Sequence, residues 1–254
     1  MSAPDSTRRF SNRVENYVRY RPSYPPAAIA CLEGEFGLSS AQIVADVGSG
    51  TGILSELLLR HGNTVYGVEP NAEMRSAAER LLRHYPGFRS VAGTAEQTTL
   101  PAASVDWIVA GQAFHWFEVE DARREFARIL RPAGRVALLW NVRREDTAFL
   151  QEYEQFLREY GTDYSAVKHQ SVETDGRLDR FFGPGEFVLR SFDNQQSFDF
   201  DGLRGRTLSA SYMPAEGHPR YGAMLAELAR LFERHAADGC VEFDYDTRMY
   251  VGRI

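Results

Sequence analysis

The run Asp46-Val47-Gly48-Ser49-Gly50-Thr51-Gly52 holds the clearest chemistry in the chain. Glycines at alternate positions let a backbone turn sharply and approach a ligand with no Cβ in the way. A strand pattern precedes the run and a helical pattern follows it, so the first N–H groups of the helix face whatever docks on the loop; its dipole alone adds an attraction of ~0.3–1 kcal/mol for an anion. A turn that serves only helix–sheet packing is the plainer alternative, and the strand–loop–helix context weighs against it. Glu69 stands 23 residues after Asp46, close to the interval of ~20 residues at which nucleotide-binding α/β folds place a carboxylate for ribose hydroxyls. Such a carboxylate accepts from both the 2′- and 3′-hydroxyls and repels a 2′-phosphate, which disfavours NADP.

A second candidate stretch is Gln112-Ala113-Phe114-His115-Trp116-Phe117. With an ordinary pKa of ~6.5, His115 could take a proton from an alcohol or amine, or donate a hydrogen bond to a carboxylate. Packing among aromatics with one satisfied ring nitrogen is an equal alternative, and Trp116 reads as part packing and part pocket wall. Trp140-Asn141, Ser209, Ser211 and Tyr212 are candidates of lower weight near an acceptor. The histidines His61, His84, His115, His169, His218 and His235 have no ligand spacing, so no metal site is expected.

Positioning these groups requires an ordered core. From Gln42 to Asn141, short β-branched runs alternate with helical stretches, the signature of a parallel sheet wrapped by helices. Strands are predicted at Gln42–Val47, Thr64–Glu69, Phe88–Ala92, Val105–Ala110 and Arg135–Asn141, the last after a Pro132-Ala133-Gly134 turn. Helices are predicted at Gly52–His61, Asn71–His84 (capped by Asn71) and Val119–Leu130. Beyond the core, Thr147–Tyr160, Gly202–Tyr212 and Pro219–Ala237 read as helices, Glu186–Phe200 and Val241–Gly252 as strands, and Gly161–Gly185 as polar and Gly/Asp-rich. The N-terminal segment 10–37, with Tyr17, Tyr20, Arg21 and Tyr24, is expected to cap the sheet, since ligand crevices in open α/β sheets lie beyond the carboxyl ends of the strands.

At 254 residues, the chain amounts to about 1.7 times a typical ~150-residue domain, and the expectation is one domain: cap 10–37, core 42–141, C-terminal part 142–254. With 43% hydrophobic and 25% charged residues, disorder and fibre are excluded. A net charge of −6, with arginines spread among 35 acids, argues against a nucleic-acid partner. No apolar run approaches the ~20 residues that span a bilayer. The N-terminal stretch around Arg8, Arg9 and Arg13 lacks a signal core, and Cys31 and Cys240 suggest no disulfide framework, so a soluble cytoplasmic protein is expected. Oligomeric state leaves no trace in the sequence.

The glycine spacing separates two ligand classes. A dinucleotide fingerprint would place glycine at position 53, which is Ile53, whereas Gly48, Gly50 and Gly52 alternate. Acidic-x-Gly-x-Gly-x-Gly resembles class I S-adenosylmethionine-dependent methyltransferases. The resemblance, of the methyltransferase type 11 kind, continues through Gly93-Thr94-Ala95-Glu96, Leu100-Pro101, Ser104-Val105-Asp106 and Leu130-Arg131-Pro132-Ala133-Gly134-Arg135, in the family's order. Ala113-x-His115-Trp116-Phe117 and the Tyr17-to-Pro25 stretch resemble the small-molecule branch that includes trans-aconitate methyltransferase-like proteins.

The resemblance implies a doubly wound seven-stranded Rossmann-like α/β sheet, mostly parallel with an antiparallel last strand, under a helical lid. It implies S-adenosylmethionine as cofactor, S-adenosylhomocysteine as product, and a small-molecule acceptor methylated at a carboxylate or other oxygen. Gly48, Ser49, Gly50 and Gly52 would form the floor under the methionine part, with Asp46 near its amino group and Arg21 and Tyr17 over its end. Glu69 would hold the ribose, and Pro70 and Asn71 would lie by the adenine. Thr94 stands where many relatives carry an aspartate facing the adenine amino group; Ala95 can offer its backbone there and Glu96 its carboxylate. Gln112 would approach the cofactor, and His115 and Trp116 the acceptor side. An NAD-dependent oxidoreductase and a non-catalytic S-adenosylmethionine-binding protein remain the alternatives.

Overall fold

The computed structural model describes residues 18–162, 164 and 176–254. Tyr17 and His169 lie outside the described residues. Along the first part run α1 (Pro26–Phe36), β1 (Ile43–Val47), α2 (Ile53–His61), β2 (Thr64–Val68), α3 (Ala72–Leu82), β3 (Phe88–Val91) and β4 (Val105–Gly111). A 3-10 turn at Phe114–Trp116, α4 (Val119–Ile129) and β5 (Leu130–Arg143) follow. The C-terminal part adds α5 (Ala148–Tyr160), α6 (Arg177–Phe182), β6 (Phe187–Phe198), α7 (Phe200–Leu208), α8 (Tyr221–His235) and β7 (Val241–Gly252). Among the described residues, no helix is long and apolar enough to cross a membrane.

The strands form one sheet in the order β3-β2-β1-β4-β5-β7-β6. Strands β1 to β5 pair in parallel, and β7 runs antiparallel between β5 and β6. From β1 the chain winds outward to β2 and β3, then returns to begin β4 on β1's other side. That reversal leaves a crevice beyond the carboxyl ends of β1 and β4, the place where open α/β sheets take ligands. Val44, Ala45, Val47, Ile108 and Val109 are buried because helices cover both faces, which explains their near-continuous apolar runs. One face packs around Phe114, Phe126 and Phe181, the other around Leu32, Leu58 and Trp107. A third cluster, with Tyr153, Phe243 and Tyr245, joins α5, α7 and α8 to β7.

Several boundaries differ from expectation for identifiable reasons. Asn71 caps α3 by accepting from the Met74 N–H at 2.9 Å, so the helix proper starts at Ala72. The helix after β6 begins earlier than predicted because the Asp199 side chain accepts from Gly202 N–H at 2.7 Å. The expected turn at Pro132-Ala133-Gly134 is a bulge within β5: Val105 pairs with Leu130 and Trp107 with Arg135, while Ala133 takes φ +68°. Helix α6 arises inside the stretch read only as polar, seating Phe181 and Phe182 in the core.

The described part of the N-terminal segment is held across the far end of the sheet. Ser23 O accepts from Asn194 at 2.7 Å and from Asn141 at 3.2 Å, and Tyr20 lies against α7. A Cβ at Gly205 would stand 2.0 Å from the Tyr20 ring. Gly205→Ala is therefore expected to displace Tyr20 and destabilise the fold by ~1–3 kcal/mol. Faster tryptic cleavage at Arg19 would report the loosening, and an unchanged digestion rate there would contradict this packing role.

Candidate active site

The backbone leaving β1 turns at Gly48, with φ +70°, and Gly50, with φ +55°, both in the left-handed region that side chains disfavour. A Cβ on Gly48 would meet the Ala113 Cβ at 2.5 Å, whereas a Cβ on Gly50 would meet nothing within 4 Å and project into open space. Gly52 serves packing: its Cβ would strike Leu82 at 2.6 Å, and it lines neither of the two cavities that open over the loop. Glu69 fastens this loop to the next. One carboxylate oxygen accepts from Gly50 N–H and the other from Asn71 N–H, both at 2.9 Å. Burial pushes the Glu69 carboxyl up, and the two backbone donors oppose that.

Asp46 is fully buried at the end of β1. Its Oδ2 accepts from the Ser55 hydroxyl at 2.6 Å, while Oδ1 has no partner. Burial pushes its pKa up to about 7, against the Ser55 hydrogen bonds and with a further push from the nearby Glu69 charge. The Thr51 hydroxyl is likewise buried without a partner. An unsatisfied carboxylate oxygen and hydroxyl at one loop are what a polar ligand would complete.

Two cavities meet over this loop, sharing Gly48, Gly50, Gly111 and Gln112. The smaller, about 190 Å³, lies between Glu69-Pro70-Asn71 and Thr94-Ala95-Glu96 and is closed by Trp116 and Phe117. The larger, about 410 Å³, extends toward the C-terminal part. Gln112 stands at the junction with φ +53°, uncommon for a residue with a side chain. It is held there by Gln112 N–H donating to Leu139 O and by its side-chain oxygen accepting from Asn141 N–H, both at 2.9 Å. Strain kept by such over-determination is typical of functional positions.

The wall of the larger cavity draws on Arg21 and Tyr24 before β1, Arg143 and Glu145 at the end of β5, Arg206 in α7, and Tyr164, Tyr212 and Tyr245. Arg143 pairs with the buried Glu154 at 2.5 Å; Glu154 also accepts from Arg158 at 2.9 Å and from the Tyr164 hydroxyl. Burial pushes the Tyr164 phenol well above its ordinary value. Arg206 is buried with tyrosine hydroxyls as neighbours.

The cavities thus bring together Arg21, Asp46, Gly48, Ser49, Gly50, Glu69, Pro70, Asn71, Thr94, Ala95, Glu96 and Gln112. Trp116 stands in the smaller cavity rather than the larger, and His115 lines neither. The reason is Phe114: fully buried, stacked edge-on against Phe117, Trp140 and Phe181, it fixes the 3-10 turn and turns His115 away from both spaces. Glu96 already accepts from Glu118 N–H at 2.9 Å. Trp140 packs on Phe114 and Tyr250. Ser209 gives its hydroxyl to Arg206 O at 2.6 Å, and its carbonyl meets Arg21 at 3.5 Å. Arg143, Tyr164, Arg206 and Tyr245 escaped the sequence reading, because in a chain this rich in arginine and tyrosine nothing local distinguishes a cavity residue from a surface one.

A 3-2-1-4-5-7-6 sheet with one antiparallel strand, a glycine loop after β1 and an acid closing β2 define the class I fold of S-adenosylmethionine-dependent methyltransferases. Residues 45–138 match the family model described as a methyltransferase domain. It is 38% identical over 156 residues to an uncharacterized methyltransferase of Mycobacterium tuberculosis, covering 61% of each chain. It is 26% identical over 247 residues to one of Schizosaccharomyces pombe, covering 96% of each. The chain thus spans about three fifths of the length of the mycobacterial relative. Among solved structures, one described as a type II methyltransferase of Anaeromyxobacter dehalogenans superposes with TM-score 0.69 at 24% identity, covering 92% of this chain and 98% of that one. Another, from Anabaena variabilis, gives 0.62 at 20% identity over 93% and 99%.

Proposed function

We propose that the chain methylates a small anionic molecule at oxygen, using S-adenosylmethionine and leaving S-adenosylhomocysteine. When bound, S-adenosylmethionine supplies a methyl group on a sulfonium, open to attack by an oxygen lone pair. The chain's own residues suit that ligand. Both Glu69 oxygens hold one backbone N–H each and keep a lone pair for vicinal ribose hydroxyls. The partnerless Asp46 Oδ1 suits an ammonium, Gly50 leaves open space above the loop that Gly48 and Ser49 also line, and Arg21 can pair with a carboxylate. Pro70, Asn71, Trp116 and Phe117 wall the adenine side with Thr94, Ala95 and Glu96. The His115 ring packs against Trp116, with centroids 4.8 Å apart, beside that wall.

The nature of the larger cavity carries the acceptor reading. Arg21, Arg143 and Arg206 line it, and among the described residues its lining offers no histidine, cysteine or lysine, its carboxylates being Glu145 and Asp46, the latter set aside for the ammonium. An alcohol or amine would need a base to remove its proton, whereas a carboxylate oxygen arrives already ionised. Positioning then does most of the work, since orientation and exclusion of water are worth up to ~7–11 kcal/mol in well-arranged pairs. Acceptors of this chemistry, together with the Tyr17-to-Pro25 and Ala113-to-Phe117 stretches, support placement in the trans-aconitate methyltransferase-like branch, acting on a cytoplasmic metabolite.

Calorimetry is expected to give micromolar binding of S-adenosylhomocysteine and no binding of NAD. The reverse pattern would establish the oxidoreductase alternative. Incubation with methyl-labelled S-adenosylmethionine and a metabolite extract is expected to label small molecules that release methanol in mild alkali, as esters do. Label stable to alkali would exclude the carboxylate, and no transfer at all would leave a binding protein without turnover.

A further inference from the structure

The larger cavity contains a charge that neither the cofactor nor the fold accounts for. Arg206, on α7, is more than nine-tenths buried, lines the cavity, and has an Nε without a partner. Among the described residues no carboxylate pairs with it. Its polar neighbours are the hydroxyls of Tyr245, Tyr153 and Tyr212. Tyr245, which donates to Gln196 at 3.1 Å, also accepts from Arg206, and Tyr153 shares a hydrogen bond with Thr207 at 3.0 Å, but these hydroxyls are neutral and leave the guanidinium charge unbalanced. The contrast with Arg143 is direct, because Arg143 has Glu154 as its counter-ion. A guanidinium taken out of water with no opposite charge is strongly disfavoured, and a fold that keeps one beside a cavity has left the counter-ion to come from outside.

We propose that Arg206 anchors an oxyanion on the methyl acceptor that is distinct from the oxygen receiving the methyl group, an assignment that rests on the methyltransferase reading above. The planar fork of donors matches the paired oxygens of a carboxylate or phosphate. An oxygen engaged by a guanidinium has its lone pairs committed and is the poorer nucleophile, so the anchored group is held while a second oxygen meets the glycine loop across the same cavity. The acceptor is therefore bifunctional. A neutral acid ester or a simple monofunctional acid would leave either Arg206 or the methylated position unfilled.

The test uses the full chain saturated with S-adenosylhomocysteine and titrated with succinate, glycerol phosphate, dimethyl succinate and 1,4-diaminobutane. Succinate or glycerol phosphate is expected to bind, the stronger of the two identifying carboxylate or phosphate as the anchored group, while the diester and the diamine do not. Arg206→Gln is expected to weaken that binding tenfold or more and Arg206→Lys less, with S-adenosylhomocysteine affinity within twofold of the parent. The glutamine variant's melting temperature should hold or rise, since an uncompensated buried charge is gone. Anion binding unchanged in Arg206→Gln, absent from the parent, or no better than that of the diester would overturn the assignment. So would a lowered melting temperature, which would make Arg206 structural, or a loss of S-adenosylhomocysteine affinity, which would make it a cofactor ligand. Failure of the parent to bind S-adenosylhomocysteine is a separate result, and it would overturn the methyltransferase reading itself.

Discussion

Glu69→Ala is expected to lower affinity for S-adenosylhomocysteine by about a hundredfold or more. Hydrogen bonds to a charged partner contribute ~1.5–3 kcal/mol each, and two ribose hydroxyls would lose theirs together. The structure adds a second component. The same carboxylate accepts from Gly50 and Asn71, so its removal leaves two backbone N–H groups without acceptors and loosens the loop that carries Gly50. Glu69→Gln separates the two effects: its one carbonyl oxygen can still serve one backbone donor, and its amide cannot accept from the second hydroxyl. A loss of about tenfold is expected there, consistent with one charged hydrogen bond of ~1.5 kcal/mol, with melting between parent and alanine variant because one backbone N–H still loses its acceptor. Calorimetric affinity of the alanine variant within twofold of the parent would remove Glu69 from the ribose.

The part of the candidate site around the glycine loop was legible because its pieces are local. Alternate glycines, the acid that ends β1 and the acid that follows β2 sit at strand ends, where topology alone puts them beside one another once the strands pair in parallel. The wall of the larger cavity was not, because it is assembled from distant pieces. Arg21, Arg143, Arg206 and Tyr245 come from the N-terminal segment, β5, α7 and β7, and they converge only after β7 inserts antiparallel between β5 and β6. His115 shows the opposite limit. Its neighbours in sequence suggested an aromatic-walled site, but which of four consecutive side chains points inward was decided by the burial of Phe114 against Trp140 and Phe181, residues far away in the chain. The bulge at Ala133 is of the same kind: a Pro-Ala-Gly run reads as a turn, and only the pairing of Val105 with Leu130 makes it part of a strand.

Asp46 ties affinity, stability and pH together with opposite signs. In the free protein its pKa stands near 7 because burial outweighs the Ser55 hydrogen bonds. A folded-state carboxyl raised above its unfolded value of ~3.9 stabilises the fold fully below that value, and the contribution disappears as pH rises through 7. An ammonium placed on the partnerless Oδ1 reverses the preference, because it favours the ionised form. Affinity for S-adenosylhomocysteine should therefore climb about tenfold per pH unit below 7 and level off above it, while the unliganded protein melts at lower temperature at pH 8 than at pH 6. Asp46→Asn should flatten both trends, raising the unliganded melting temperature at pH 8 and weakening the ligand there by the loss of the charge. Calorimetry across pH 5.5 to 8.5 on parent and variant checks this; an affinity that ignores pH in the parent would mean that no cation reaches Asp46, and the methionine end of the ligand would have to be placed elsewhere along the loop.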